Sequence, residues 1–120
     1  MISSRPPGAW HDSAVPDSVL VYSVRAEFAD PATRERYLDW LRGGHCFAVV
    51  REGGALSGEV TVLDDGIVES RYVFGSRAAF DAYEAGPGIA LRADGTVRFP
   101  PGSGITTSRF LAIRVVRVPD

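Results

Sequence analysis

The sequence predicts an α+β domain in which one antiparallel sheet carries its helices on a single face. Four strand-like and two helix-like segments follow each other in the order strand, helix, strand, strand, helix, strand. The two predicted helices share one spacing of arginine and aromatic residues: Arg34, Tyr37 and Trp40 in the first, Arg77, Phe80 and Tyr83 in the second. This internal likeness indicates two strand-helix-strand halves that build one sheet.

A chain of 120 residues predicts one such domain. Residues 1–17 are mostly Ser, Pro, Gly and Asp without a period, which predicts a flexible N-terminal tail before a domain at 18–120. No apolar run approaches the roughly 20 residues of a membrane span, so no membrane partner is expected. The single cysteine, Cys46, and the lack of a secretion signal favour the cytoplasm.

The first half of the domain begins with a clear alternation. Apolar residues occupy every second position from Val19 to Phe28, which predicts a half-buried strand. Asp30 and Pro31 are typical of a helix start, and the apolar stripe that follows contains Tyr37, Trp40 and Leu41. Gly43 and Gly44 predict the end of this helix.

The second half predicts a hairpin, a helix and a last strand. The hairpin joins Leu56–Leu63, with a bulge at Gly58, to Ile67–Phe74. Ser76 caps the second helix, which Gly86-Pro87-Gly88 interrupts before one more turn at 89–93. The last strand, Thr106–Val118, is apolar on both sides, so both of its faces should be covered.

This order of elements is the ferredoxin-like split βαβ arrangement. Short right-handed connections place strands one and three in the centre of the sheet and strand four beside strand one. The face without helices would meet water in a monomer, although strand four is apolar there as well. A second copy of the chain is the simplest cover, so the sequence predicts a homodimer through the free sheet face.

Several short motifs resemble the dimeric α+β-barrel superfamily, in which two ferredoxin-like subunits pack sheet against sheet. They are Trp40-Leu41 with His45 beyond the glycines, Tyr72-x-Phe74 before Ser76-Arg77-x-x-Phe80-x-x-Tyr83, and the segment Ala90–Gly95. The resemblance covers residues 18–118 and points to a small bacterial branch without an assigned function. It implies a small-molecule cavity, because the superfamily includes cofactor-free monooxygenases of aromatic polyketides, polyketide cyclases, muconolactone isomerases and haem-degrading enzymes.

His45 is the candidate catalytic residue, because the pKa of an unperturbed imidazole lies near neutrality. It follows the predicted helix end at Gly43-Gly44, where the chain should return towards the sheet. Alternatively, it is a histidine near a helix C-terminus that interacts with free carbonyls.

Candidate ligand-binding residues form two further groups. Arg25 and Arg71, with Glu27 and Glu69, should share the free face of strands one and three, either as an ion-pair network inside a dimer or as a polar patch for an anionic or enolic ligand. Tyr22, Trp40 and Tyr72 are typical of a plain aromatic core, or of a cleft between sheet and helices in which tyrosine hydroxyls contact a ligand.

Charge and composition exclude other functions. The formal charge is −2, and the free-face positions that RNA-recognition domains use for aromatics hold Ser23, Arg25, Glu27, Glu69 and Arg71, so no nucleic-acid partner is predicted. All 13 positive residues are arginine, which removes lysine chemistry. Two histidines and one cysteine give no familiar metal spacing, and no phosphate loop is present. Two hypotheses remain: a cofactor-free enzyme acting on an aromatic or polyketide-like metabolite, and a non-catalytic ligand-binding or accessory dimer.

Overall fold

The computed structural model describes residues 18–119, so the predicted N-terminal tail lies outside the described residues. One antiparallel sheet is built from β1 (Leu20–Phe28), β2 (Ser57–Val62), β3 (Val68–Phe74) and β4 (Ile105–Ile113). The strand order is β2-β3-β1-β4. This confirms the prediction that β1 and β3 are central and that β4 lies beside β1.

The first helical segment of the domain is longer than predicted. Helix α1 (Pro31–Trp40) begins at Asp30, whose carboxylate accepts a hydrogen bond from the Thr33 amide at 2.7 Å. The chain then passes through a π-helical turn (Leu41–His45) into α2 (Cys46–Arg51). The predicted stop at Gly43-Gly44 is therefore wrong: Gly44 only kinks the helix. Helix α2 forms because it buries Val49 against the sheet, and this burial outweighs the local stop signal.

The second helical segment of the domain is also longer than predicted. Ser76 caps α3 (Arg77–Ala85) by accepting a hydrogen bond from the Ala79 amide at 3.0 Å, and Phe80 and Tyr83 form its buried stripe. Helix α4 runs over Pro87–Arg98, where the sequence predicted a single turn at 89–93. Pro87 occupies the first turn of α4, a position that suits proline, so it starts a helix here instead of only ending one.

Two strand predictions are corrected as well. The pairing of β2 with β3 is continuous through Gly58, so no bulge is present. Gly58 instead allows the backbone of β2 to lie close to the Tyr72 ring, because a Cβ at this position would lie 2.9 Å from that ring. Strand β4 ends at Ile113, so Val116 and Val118 lie beyond the strand.

The helices cover one face of the sheet with two separate apolar clusters. The first cluster centres on Tyr22, Phe74 and Phe80 beneath α2 and α3. The second joins Tyr37 and other residues of α1 and the π turn to one end of β1 and β3. Because the clusters do not merge, the space between them is where a cavity can form.

The opposite sheet face carries charges and exposed apolar side chains. Arg25 forms an ion pair with Glu69 at 2.9 Å, and Arg71 lies 3.8 Å from Glu59. The Arg25 guanidinium also lies over the Phe110 ring, which is 48% exposed. Among residues 18–119, no helix is long and apolar enough to cross a membrane.

Candidate functional site

A cavity of about 260 Å³ lies between the sheet and the helices, at the gap between the two apolar clusters. Tyr22 and Tyr72 from the first cluster and Tyr37 from the second all contribute to its walls. Its most exposed lining residues, Thr96 on α4 and Thr107 and Arg109 on β4, place the mouth between that helix and the edge strand. The polar lining residues are Tyr22, Tyr37, Trp40, His45, Ser70, Tyr72, Tyr83, Arg92, Thr96, Thr107 and Arg109.

Aromatic rings form a large part of the cavity wall. The Tyr22 ring centroid lies 6.1 Å from that of Tyr72 and 5.9 Å from that of Tyr83. On the other side, the Tyr37 centroid lies 5.6 Å from Trp40. Burial raises the pKa of Tyr37 and of Tyr83 to about 12, so these hydroxyls stay protonated at neutral pH. The cavity therefore offers ring faces for packing and neutral hydroxyls for hydrogen bonding.

His45 lies inside the helical path, at the last position of the π turn, and not at a helix end. Its ring stacks on Trp40 with 3.9 Å between centroids and 21° between planes. Burial lowers the pKa of His45 to about 4, although the Asp94 carboxylate opposes this shift. The imidazole is therefore neutral at neutral pH, and its buried Nδ1 has no hydrogen-bond partner among the described residues.

A charged cluster of Glu84, Arg92 and Arg109 lies at the cavity mouth. Arg109 donates two hydrogen bonds to the Glu84 carboxylate, each 3.0 Å long, and a third to the Tyr22 hydroxyl at 3.2 Å. Arg92 donates to the same carboxylate at 2.6 Å. The bond from Arg109 holds the pKa of Glu84 below its usual range. Two guanidinium groups share one carboxylate, so the cluster keeps a net positive charge.

Two buried hydroxyls in the cavity lining lack partners within residues 18–119. Ser70 and Tyr72 are each 2% exposed, and neither Ser70 Oγ nor the Tyr72 hydroxyl has a partner at good hydrogen-bond geometry, although Ser70 and Cys46 lie close enough to the Tyr72 hydroxyl to influence its pKa. They stand on the same face of β3, two residues apart, and both line the cavity. An unpaired buried polar group costs about 1–3 kcal/mol, which a bound ligand or water would recover.

The structure brings four of the six predicted site residues together. Tyr22, Trp40, His45 and Tyr72 all line the cavity. Arg25 and Arg71 lie on the opposite face of the sheet, as the alternation predicts, so they do not contact the same cavity. Arg71 instead borders a groove on that face.

The sequence did not indicate the charged cluster at the mouth. Arg109 pairs with Val24 in the β1–β4 register, which turns its side chain to the helix face beside Tyr22. The signal was the alternation of the last strand, in which Arg109 shares a side with Leu111 and Ile113. Glu84 and Arg92 meet only because α4 folds back after Gly86, an event that the sequence does not reveal.

Metal ligands are not gathered in this site. Across residues 18–119, no group of three or more His, Cys, Asp or Glu side chains is placed to hold a metal ion.

Comparison with solved structures identifies the fold. A monooxygenase from the gene ActVA-Orf6 of Streptomyces coelicolor, in complex with nanaomycin D, superposes with a TM-score of 0.64 at 21% identity, over 88% of this chain and 96% of that one. A dimeric ferredoxin-like protein from an uncultured marine organism gives 0.65 at 17% identity, over 84% and 99%. This chain has a ferredoxin-like fold.

A further solved structure with this ferredoxin-like fold is SnoaB, a cofactor-independent oxygenase from Streptomyces nogalater. It superposes with a TM-score of 0.62 at 16% identity, over 86% of this chain and 99% of that one. No family model matches the chain, and no curated protein sequence is significantly similar to it. At these identities the comparisons establish the fold, and the chemistry must be argued from the site.

Proposed function

We propose that this protein binds a small hydroxylated aromatic or polyketide-like metabolite in the cavity and removes a proton from it without a cofactor. The observation that carries the proposal is the pairing, in one aromatic cavity, of a neutral imidazole with a guanidinium cluster. Solved proteins of the same fold include an oxygenase described as cofactor-independent and a monooxygenase in complex with nanaomycin D. The lone Cys46 suits a reducing compartment such as the cytoplasm.

His45 acts as the base in this proposal. Its imidazole is neutral, and its buried Nδ1 has no hydrogen-bond partner among the described residues. A base with so low a pKa is weak by itself, but an anion that forms in the same cavity stabilises the imidazolium. The product of this step is a phenolate or enolate, from which oxygenation, cyclisation and isomerisation can all proceed.

Tyr22 and Arg109 hold the developing anion. Arg109 donates to the Tyr22 oxygen, which leaves the Tyr22 hydroxyl proton to donate to a ligand. Arg92 adds a second guanidinium to the same end of the cavity. Donors that are already in position stabilise negative charge more than mobile water does.

Ligand binding tests this proposal. We expect 1,5-dihydroxynaphthalene to bind with one site per chain in isothermal titration calorimetry, and Arg109→Gln to weaken binding by about tenfold or more, since a charged hydrogen bond contributes about 1.5–3 kcal/mol. Arg42→Gln is the matched control, because Arg42 is 61% exposed on the π turn and does not line the cavity. Undetectable binding to the wild-type protein would refute the proposal.

The second candidate is a non-catalytic ligand-binding dimer, and one observation favours it. Arg109 already forms an ion pair with the Glu84 carboxylate, and burial makes His45 a weak base. A protein of this kind would bind the ligand without chemical change. Turnover of bound hydroxylated rings therefore separates the two candidates.

We also propose that the protein is a homodimer through the free sheet face. Phe110 is 48% exposed there, and Val116 and Val118, which line a groove on this face, are 76% and 85% exposed. Val21, Val73 and Ala112 line the adjoining groove. Two solved proteins with this fold are described as dimeric.

Sedimentation velocity tests the dimer. A stable interface buries more than about 1,000 Å² in total, so we expect a dimer at micromolar concentration. Phe110→Arg should give monomers, because it places a second guanidinium beside Arg25 in the interface. Phe47→Arg, at a phenylalanine that is 61% exposed on α2, should remain dimeric. A monomeric wild-type protein would contradict the proposal.

A further inference from the structure

A thin wall of four side chains separates the cavity from a second, wider depression on the outer surface. The depression has a volume of about 630 Å³ and is bordered by Arg36, Asp39 and Arg98. Four residues line both spaces: Trp40, His45, Leu91 and Phe99. These four residues, called the partition below, form the end of the cavity on the side of α1 and α4.

Trp40 is fixed within the partition by a hydrogen bond and by ring contacts. Its indole N–H donates to the Asp94 carboxylate at 3.0 Å, and its ring stacks on His45. Gly95 leaves room for the indole, since a Cβ at that position would lie 3.1 Å from the Trp40 ring. Phe99 packs edge-on against Trp40 with 5.6 Å between centroids. The aromatic part of the partition is therefore held in place.

Leu91 is the one aliphatic residue of the partition. It lies on α4 one turn before Gly95, so both residues face the cavity. Its side chain is half-buried and packs at the edge of the first apolar cluster. Shortening Leu91 would open the partition without breaking a hydrogen bond.

We propose that the partition, with Leu91 as its adjustable member, sets an upper limit on the size of ligand that the cavity accepts. This inference rests on the proposed function and specifies its substrate class: compact hydroxylated ring systems of one or two fused rings. Small-molecule sites usually have volumes of about 300–1,000 Å³, and the cavity alone falls just below that range. Joined to the depression, it would lie within the range.

Ligand size selectivity tests this inference. The probes are 1-naphthol, with two fused rings, and 1-hydroxypyrene, with four, and their own fluorescence anisotropy reports binding. We expect the wild-type protein to prefer 1-naphthol. In Leu91→Ala, the ratio of the Kd for 1-hydroxypyrene to the Kd for 1-naphthol should fall by about tenfold or more. Leu56→Ala is the matched control, since Leu56 is 67% exposed and lies outside both spaces.

Each outcome decides the matter. An unchanged ratio in Leu91→Ala, or a wild-type protein that binds both probes equally, overturns the size limit but leaves the proposed function standing. A wild-type protein that binds neither probe refutes the proposed function and this inference with it. Leu91→Val is the second variant if Leu91→Ala does not fold, and it should lower the ratio in the same direction by a smaller factor.

Discussion

Replacing His45 by glutamine is expected to lower the turnover of a bound hydroxylated aromatic substrate by about 10²–10⁴-fold, the usual contribution of a positioned general base. Glutamine keeps a polar side chain of similar length but cannot take up a proton at neutral pH. Because Trp40 keeps its hydrogen bond to Asp94, the cavity wall should stay in place. Substrate affinity should therefore change much less than kcat.

Steady-state kinetics with oxygen uptake and product absorbance provide the measurement, and Arg42→Gln is the control. A loss confined to KM would make His45 a binding residue, and unchanged kcat and KM would remove it from the reaction. If His45 proves to be a binding residue, the base must be sought among the cavity tyrosines. Their raised pKa values make them poorer candidates at neutral pH.

Acidification from pH 7 to pH 4 is expected to destabilise the wild-type protein through His45 by about 2–3 kcal/mol. Burial lowers the pKa of His45 in the folded state from 6.5 to about 4. Between these two values the unfolded chain binds a proton at this position and the folded chain does not. Stability therefore falls as the pH drops through this window, and the contribution is complete above pH 6.5.

Urea unfolding at a series of pH values measures this effect as the difference between wild type and His45→Gln. The variant should lose less stability than the wild type between pH 7 and pH 4. The pKa values of Glu84 and Asp94 are lowered by hydrogen bonds from Arg109 and Trp40, so their own contributions are lost only towards the lower end of the range. Parallel curves for the two proteins would show that His45 is exposed to water in solution.

The sheet could be predicted because its strands alternate and its turns carry specific signals. Gly66 has φ 91° in the hairpin turn that Asp64-Asp65-Gly66 predicts, and Asp30 and Ser76 cap the predicted helices. The helix ends could not be predicted, because tertiary burial decided them. Burial of Val49 packs α2 against the sheet after the kink at Gly44. Helix α4 extends far enough for Asp94 to accept a hydrogen bond from Trp40.

The site could be predicted only in part, for a similar reason. Tyr22 and Tyr72 belong to the helix face by strand alternation, and their proximity follows from the antiparallel pairing of β1 with β3. Placing Arg109 in the site requires the register of β4, and placing Arg92 there requires the turn at Gly86. Distant packing sets both features. The partial burial of His45 depends on its stacking against Trp40, and the predicted helix end at Gly43-Gly44 did not indicate this contact.

The most direct test of a ligand site in this cavity is a crystal structure of the protein with 1,5-dihydroxynaphthalene. We expect one ligand per chain between Tyr22 and Trp40, with a ring oxygen within about 3.2 Å of the Tyr22 hydroxyl or the Arg109 guanidinium. A second ring oxygen or an adjacent C–H should face His45. A ligand bound only on the free sheet face near Arg71, with the cavity closed or filled by side chains, would contradict this expectation.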